Sequence, residues 1–168
     1  MKTILDAKKA GIIRYIGFSA HSPEAAIYAM ENFDFDTILY PVNFSCHYRG
    51  QFDQDVIKMA NERGVAILTL KAIARQKWQE QDKEERQKWP KTWYEPIIDP
   101  EWARKALYWT LSQPGVVAAI PPGVDTLFRL AVALAADYRP VTEAEAESLK
   151  QLAATLDPLF TAKTLSIA

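Results

Sequence analysis

The sequence predicts an α/β fold built on four parallel strands, and three observations carry that prediction. Short apolar runs at residues 12–18, 37–44, 65–70 and 115–120 alternate with longer stretches of helical composition. The run Val65-Ala66-Ile67-Leu68-Thr69-Leu70 is apolar on both faces, as in a parallel strand covered on two sides. The resulting order α-β-α-β-α-β-α-β-α-α implies right-handed crossovers into a parallel sheet.

Each element has a local cause. Residues 2–10 have helical composition, and Gly11 suits the C-terminal end. The stretch "IRYIGF" reads as a buried strand that stops at Ser19. Ser22-Pro23-Glu24 follow as an N-cap, a proline for the first helical position and an acid for the first turn, so residues 23–32 are helix. Residues 37–44 form the second strand, although Pro41 is awkward inside a ladder and implies an irregularity or an earlier strand end. Residues 53–63 are helix, closed by Gly64, and 65–70 are the third strand.

Residues 71–100 read as a long irregular insertion between a strand and its helix, with Trp78, Trp89, Trp93, Tyr94 and three prolines packing over a pocket mouth. Helix 101–112 and strand 115–120 follow, then Pro121-Pro122-Gly123, with Asp125 available to cap a helix over 126–136. Thr142 and Glu145 are spaced as a capping box for a last helix reaching about residue 156. Residues 1–168 are read as one domain, with the tail from 157 onward unassigned.

Composition excludes several classes. A net charge of −1 with scattered Lys and Arg gives no electrostatic case for nucleic acid or an anionic membrane. The single Cys46 forms no internal disulfide and builds no Cys-rich metal site, so no metal is expected and a reducing, cytoplasmic compartment is. The N-terminus lacks the apolar core of a signal peptide, and no apolar run approaches the roughly 18 residues of a membrane span. No strand is followed by Gly-x-Gly-x-x-Gly, so the Rossmann signature is absent.

Three stretches at strand ends, "GIIRYIGFSAHSPE", "FDTILYPVNF" and "GVVAAIPPGVDTLFRLA", resemble in order and spacing the C-terminal half of aldo-keto reductases. The variants "GFSAHS" and "VNFSCHY" are most similar to a bacterial branch related to ferredoxin-fused members. The resemblance implies half of a TIM-type (β/α)8 barrel, equivalent to strands five to eight with their flanking helices. It also implies NADP, or alternatively NAD, as the cofactor and a small carbonyl substrate for the complete protein.

By position, Ser19 and Ala20, with His21 beside them, would meet the nicotinamide carboxamide, as would Asn43. Leu70 would flank the nicotinamide with Lys71 near the phosphates, and Pro122, Gly123, Val124 and Asp125 would wrap the adenosine phosphate. Phe128 stands where an Arg is common in the family, and Ala131 and Val132 where an acid and an amide are common; Arg129 is a substitute for that Arg. The family's catalytic Asp, Tyr, Lys and His come from its first four strands, so no catalytic residue is expected in this chain.

Each candidate also has a plainer reading. Ser19 and Ser22 suit turn and cap roles, and an exposed loop His21 is more often incidental than catalytic. Lys71 either binds a phosphate or snorkels from an apolar strand, and the Pro-Pro-Gly stretch either turns or cradles an anion. A buried amide such as Asn43 must find partners. Cys46 and His47 have the types for thiol chemistry, but adjacent residues rarely face each other, which favours a structural role.

Two functions from different classes remain. One is the cofactor half of an oxidoreductase, inactive alone. The other is a non-catalytic half-barrel that oligomerises, or pairs with a partner chain, to cover two open strand edges and an inner face containing parts of Ile16, Phe18, Leu39, Val42, Ile67 and Ala119. A doubly wound binding domain is the fold alternative, and strand order decides it.

Overall fold

The computed structural model describes residues 1–162. Its main sheet has the order β1 (Gly17–Ser19), β2 (Thr37–Pro41), β3 (Ala66–Leu70), β6 (Val116–Ala119), with every pair parallel. Sequential order without reversal is what successive βα units give when each new strand is added on the same side. A doubly wound sheet would instead reverse at a switch point.

Burial alternates along the strands. Ile38, Tyr40, Ile67 and Thr69 have no exposed surface, whereas Thr37, Leu39, Ala66, Leu68 and Leu70 are half-open. Parallel register lines up Ser19, Leu39 and Leu68 across one face. Phe18, Ile38, Ile67 and Val116 line up across the other. Helices cover the second face, and the first is left largely open. This corrects the expected inner face: Ile16, Val42 and Ile67 belong to the core, Phe18 packs on Phe35 at 4.4 Å between ring centres, and Leu39 is on the open side with Leu68 and Leu70.

Helix α1 (Lys2–Lys9) buries no residue, and Gly11 at φ +72° turns the chain out of it. The strand expected over residues 12–18 shrinks to Gly17–Ser19. Among the described residues no strand pairs with residues 12–16, so Ile12 and Tyr15 are exposed and only Ile16 is buried. The carboxylate of Asp36 fixes this entry, accepting from Ile16 N–H at 2.7 Å and Lys8 Nζ at 2.6 Å.

Helix α2 (Pro23–Asn32) starts as expected, with Ser22 Oγ accepting from Ala25 N–H at 3.2 Å. β2 stops at Pro41 rather than at residue 44. Leu39 O accepts from Ala20 N–H on the β1 side, and Pro41, two residues on, faces the same way beyond the last paired residue of β1. Its missing N–H therefore costs no ladder bond. The chain then enters a short helix, α3 (Phe44–Tyr48), before α4 (Gln54–Arg63).

Residues 71–100 are organised rather than irregular. β4 (Ala74–Lys77) and β5 (Tyr94–Pro96) form an antiparallel hairpin whose tip holds a 3-10 turn (Glu80–Asp82) and α5 (Lys83–Gln87). Trp78 Nε1 donates to Thr92 O at 3.3 Å and Arg75 pairs with Glu95 at 2.7 Å, which hold the two arms together.

Helix α6 (Pro100–Leu111) is capped by Asp99, whose Oδ1 accepts from Trp102 N–H at 2.9 Å. α7 (Asp125–Ala135) has Val124 at its N-cap, so Asp125 is its first residue and not its cap. α8 (Glu143–Ala153) carries the expected Thr142/Glu145 box. Glu145 also accepts from Arg104 and Arg139, each at 2.8 Å, and Arg139 holds its carboxyl well below the usual carboxylate range.

After α8 the chain returns across the strand ends. Phe160 stacks on Phe52 at 4.9 Å, and Ala162 N–H donates to Gly50 O at 2.8 Å. A Cβ at Gly50 would lie 2.3 Å from Phe160 O and 2.6 Å from Cys46 O. Gly50→Ala is therefore expected to lower the free energy of unfolding by about 1–3 kcal/mol, as overpacking does. It should also open the segment around Phe160 to limited proteolysis, with urea denaturation and peptide mapping as the readouts.

Candidate functional site

The C-terminal ends of β2 and β3 meet around one buried amide. Asn43 has no exposed surface. Its Nδ2 donates to Lys71 O at 2.9 Å and Ala74 O at 2.8 Å. Its Oδ1 accepts from Ser45 N–H at 3.0 Å, Ser45 Oγ at 2.9 Å and Cys46 N–H at 3.3 Å. The amide thus caps α3 and clamps the turn after β3. Any contact with a carboxamide would require it to exchange one of these bonds.

Thr69 adds a second link, with its Oγ1 accepting from Val42 N–H at 3.0 Å. Lys71 follows at φ +70°, a left-handed conformation that a side-chain-bearing residue adopts only when its surroundings impose it. Here the imposed contacts are Asn43 and Ala74 N–H, both bonded to Lys71 O. The Lys71 ammonium lies 4.9 Å from the Tyr94 ring centre and 5.5 Å from that of Trp93. Burial lowers its pKa from the ordinary amine value. Among the described residues no carboxylate pairs with it.

His21 is exposed, with its ring 5.9 Å from that of Phe160. Partial burial, and then the charge of Lys71, lower its pKa, which keeps the imidazole neutral at pH 7. Ser19 is exposed and Ala20 half-buried. Leu70 lies half-open next to Lys71. The ends of β1, β2 and β3 thus bring Ser19, Ala20, His21, Asn43, Leu70 and Lys71 into one region.

Pro122, Gly123, Val124 and Asp125 lie at the end of β6, which pairs with β3 and is tied to it by Ile120 N–H donating to Thr69 O at 2.8 Å. Pro122 is buried, while a Cβ on Gly123 would meet nothing within 4 Å, so the backbone there is open to approach. Arg129 Nε pairs with Asp125 Oδ2 at 3.0 Å on the surface. A cavity of about 220 Å³ opens behind this loop, walled by Ala72 and Ile73, Leu107 and Leu111 of α6, and Ala131 and Val132 of α7.

Cys46 and His47 do not form a reactive pair. Burial pushes the Cys46 thiol up to about 12, so no thiolate forms near neutrality. His47 Nδ1 lies 2.7 Å from Asp53 Oδ1 instead. Asp53 is fully buried, with Oδ2 unpartnered among the described residues, and burial raises its pKa against the opposing pull of His47. Among the described residues no group of three or more His, Cys, Asp or Glu is placed to hold a metal, and no helix is long and apolar enough to cross a membrane.

Trp93, Tyr94 and Phe160 join the site from remote positions. The sequence flagged the first two only as aromatic residues of the insertion, and nothing marked Phe160. Their roles come from tertiary packing around Lys71 and His21.

The comparisons with known proteins fix the family and the fold. The model of the aldo/keto reductase family matches residues 1–154, and the chain belongs to that family. In fold it is similar to a thermostable aldo-keto reductase, Tm1743, at TM-score 0.55 and 19% identity over 90% of this chain and 53% of that one. It is also similar to the aldo-keto reductase AKR11C1 from Bacillus halodurans, at TM-score 0.56 and 17% identity over 94% of this chain and 56% of that one. The chain therefore spans about half the length of the solved structures it matches. No curated protein matches it in sequence.

Replacing Asn43 by Ala would remove the side-chain partner of Ala74 O and of the first amides of α3, and leave Lys71 O with Ala74 N–H alone. Each orphaned buried group costs about 1–3 kcal/mol, so Asn43→Ala is expected to lose about 3 kcal/mol or more in urea denaturation. Asn43→Asp keeps the cap acceptor but turns its second oxygen toward both carbonyls, so it should cost at least as much as Asn43→Ala while the carboxyl is ionised and recover as the pH falls and it protonates.

Proposed function

We propose that this chain is the cofactor-holding half of an aldo-keto reductase: residues 1–168 form one partial-barrel domain, working in the cytoplasm, that binds a nicotinamide dinucleotide, NADP or NAD. When bound, that cofactor supplies a hydride to the carbonyl carbon of a small aldehyde or ketone. The observation that supports this most is Lys71, a half-buried ammonium held in a strained conformation at a strand end, with no carboxylate partner among the described residues. Strain of that kind accumulates at ligand sites, and parallel barrels keep their sites at C-terminal strand ends.

In this reading Ser19, Ala20 and His21 hold the carboxamide and Leu70 flanks the ring. Lys71 meets a phosphate, and Pro122, Gly123, Val124 and Asp125 follow the adenosine phosphates, with Arg129 beside them. Asn43 acts chiefly by fixing the backbone of Lys71. His21, neutral at pH 7, offers a hydrogen bond and no charge. The proton donor for the carbonyl oxygen, with the groups that tune it, belongs to four further βα units. The chain alone therefore performs no carbonyl reduction.

A second reading is a half-barrel assembly module that closes with a second copy or a partner chain. It is supported by the two outer strands, β1 and β6, each paired on one side only among the described residues. Apolar side chains are exposed near both, Ile4, Leu5, Ile12 and Tyr15 at one end and Val117, Ile120, Phe128 and Val132 at the other. Sedimentation separates the readings: a monodisperse closed dimer favours the module, and aggregation or a monomer favours the separated half.

Calorimetric titration of the 168-residue chain with NADPH and NADH tests the cofactor role. Binding is expected, with Lys71→Met weakening it about tenfold, a loss of about 1.4 kcal/mol, and no aldehyde turnover. Turnover by this chain alone, or no binding of either dinucleotide, would contradict the reading.

A further inference from the structure

The amine of Lys71 differs from every other lysine amine among the described residues. Lys8, Lys71, Lys77 and Lys105 are half-buried, and the rest are exposed. Lys8 pairs with Asp36 at 2.6 Å, Lys77 with Asp157 at 3.4 Å and Lys105 with Glu101 at 2.8 Å. Lys71 alone combines partial burial with the lack of a carboxylate partner among the described residues.

Its surroundings are aromatic. Nζ lies 4.9 Å from the Tyr94 ring centre and 5.5 Å from that of Trp93, and the Trp93 ring lies 5.7 Å from that of Phe160. Aromatic faces attract a cation but bring no full negative charge to hold its proton. The titratable groups that face it carry no charge at pH 7. Burial pushes the Tyr94 hydroxyl up to about 12, and partial burial, then the charge of Lys71, lower the pKa of His21. Burial also lowers the pKa of Lys71, so more free amine is present at neutral pH than on an exposed lysine. Trp93 is about half exposed, which leaves a flat face for a reactant beside the nitrogen.

We propose that Lys71 is a nucleophile that captures small aromatic aldehydes as an imine, with Trp93 as the stacking face. The nitrogen lone pair bonds to the carbonyl carbon, and the π pair of the C=O bond passes to oxygen. Transfer of one proton from nitrogen to oxygen gives the carbinolamine. Its hydroxyl then leaves as water with the second proton of the nitrogen, and a C=N bond remains. One amine and one aldehyde give one imine and one water, with no change of oxidation state. The step therefore goes beyond the carbonyl reduction proposed for the complete protein and does not rest on it. A dinucleotide phosphate on Lys71 would hold the nitrogen as ammonium, so aldehyde capture belongs to the dinucleotide-free chain.

The test exposes the 168-residue chain to benzaldehyde at pH 7, with cyanoborohydride to reduce any imine to a stable secondary amine, and locates the adduct by peptide mapping. Lys71 should be labelled about tenfold or more faster than Lys77, Lys105 or the exposed lysines. That advantage should shrink toward about pH 11, where ordinary lysines are free amines as well. Lys71→Arg keeps the charge and should remove the fast phase, leaving only slow labelling elsewhere. Propanal, which has no ring to stack, should show a smaller advantage than benzaldehyde. Labelling of Lys71 no faster than that of the exposed lysines, or a fast phase that survives in Lys71→Arg, overturns the proposal. So does an advantage unchanged at high pH, because access rather than the free amine would then set the rate. Saturating NADH should protect Lys71; fast labelling without that protection supports the nucleophile and counts against the phosphate placement alone.

Discussion

The carboxamide of Asn43 sits where four segments meet: the end of β2, the start of α3, the turn after β3 and the first residue of β4. In a fully buried place every polar atom must be matched, so the amide fixes distances that strand pairing alone leaves loose. Its donors hold Lys71 O and Ala74 O. Lys71 must then take a left-handed backbone, and its side chain rises between Trp93 and Tyr94. The electrostatics of the site follow from that one placement. A half-buried cation with aromatic neighbours leaves a positive centre at the strand ends and adds to the effect of partial burial in lowering the pKa of His21.

The sheet that carries these ends is finished on one side only. Rows of side chains alternate between a helix-covered face, on which Ile38, Tyr40, Ile67 and Thr69 have no exposed surface, and an open face of Ser19, Leu39, Leu68 and Leu70. Parallel sheets ordinarily have both faces covered. A four-stranded parallel sheet with an open face and two half-paired outer strands is what half of a closed barrel looks like in isolation. The fold similarity to aldo-keto reductases about twice its matched length has the same meaning. The hairpin of residues 74–96 and the segment around Phe160 close over the strand ends from outside the sheet, which makes the site more complete than the barrel.

Much of this was legible in sequence where the chemistry is local. Ser22-Pro23 and the Thr142/Glu145 box fix helix starts by side-chain-to-backbone bonds within three residues, and both are found where expected. Strand ends were placed because capping residues follow them, which is why the loop positions of the candidate site could be named. Three failures have physical causes. The apolar run over 12–16 lacks a neighbour to pair with among the described residues, a fact outside the run itself. Phe44 continues the apolar pattern of β2, and a five-residue helix leaves no periodicity to distinguish it. The hairpin strands are four and three residues long, too short to alternate visibly. Trp93, Tyr94 and Phe160 meet Lys71 and His21 only through tertiary packing, and no spacing announces that.

The central claim is that the four strand ends form one dinucleotide site. Amide hydrogen exchange of the 168-residue chain, with and without saturating NADH, tests it most directly. The account predicts added protection in three separated segments, residues 19–22, 70–74 and 121–126, with α1 and α8 unchanged. Protection confined to the outer strands and α1, or no protection anywhere, would contradict it.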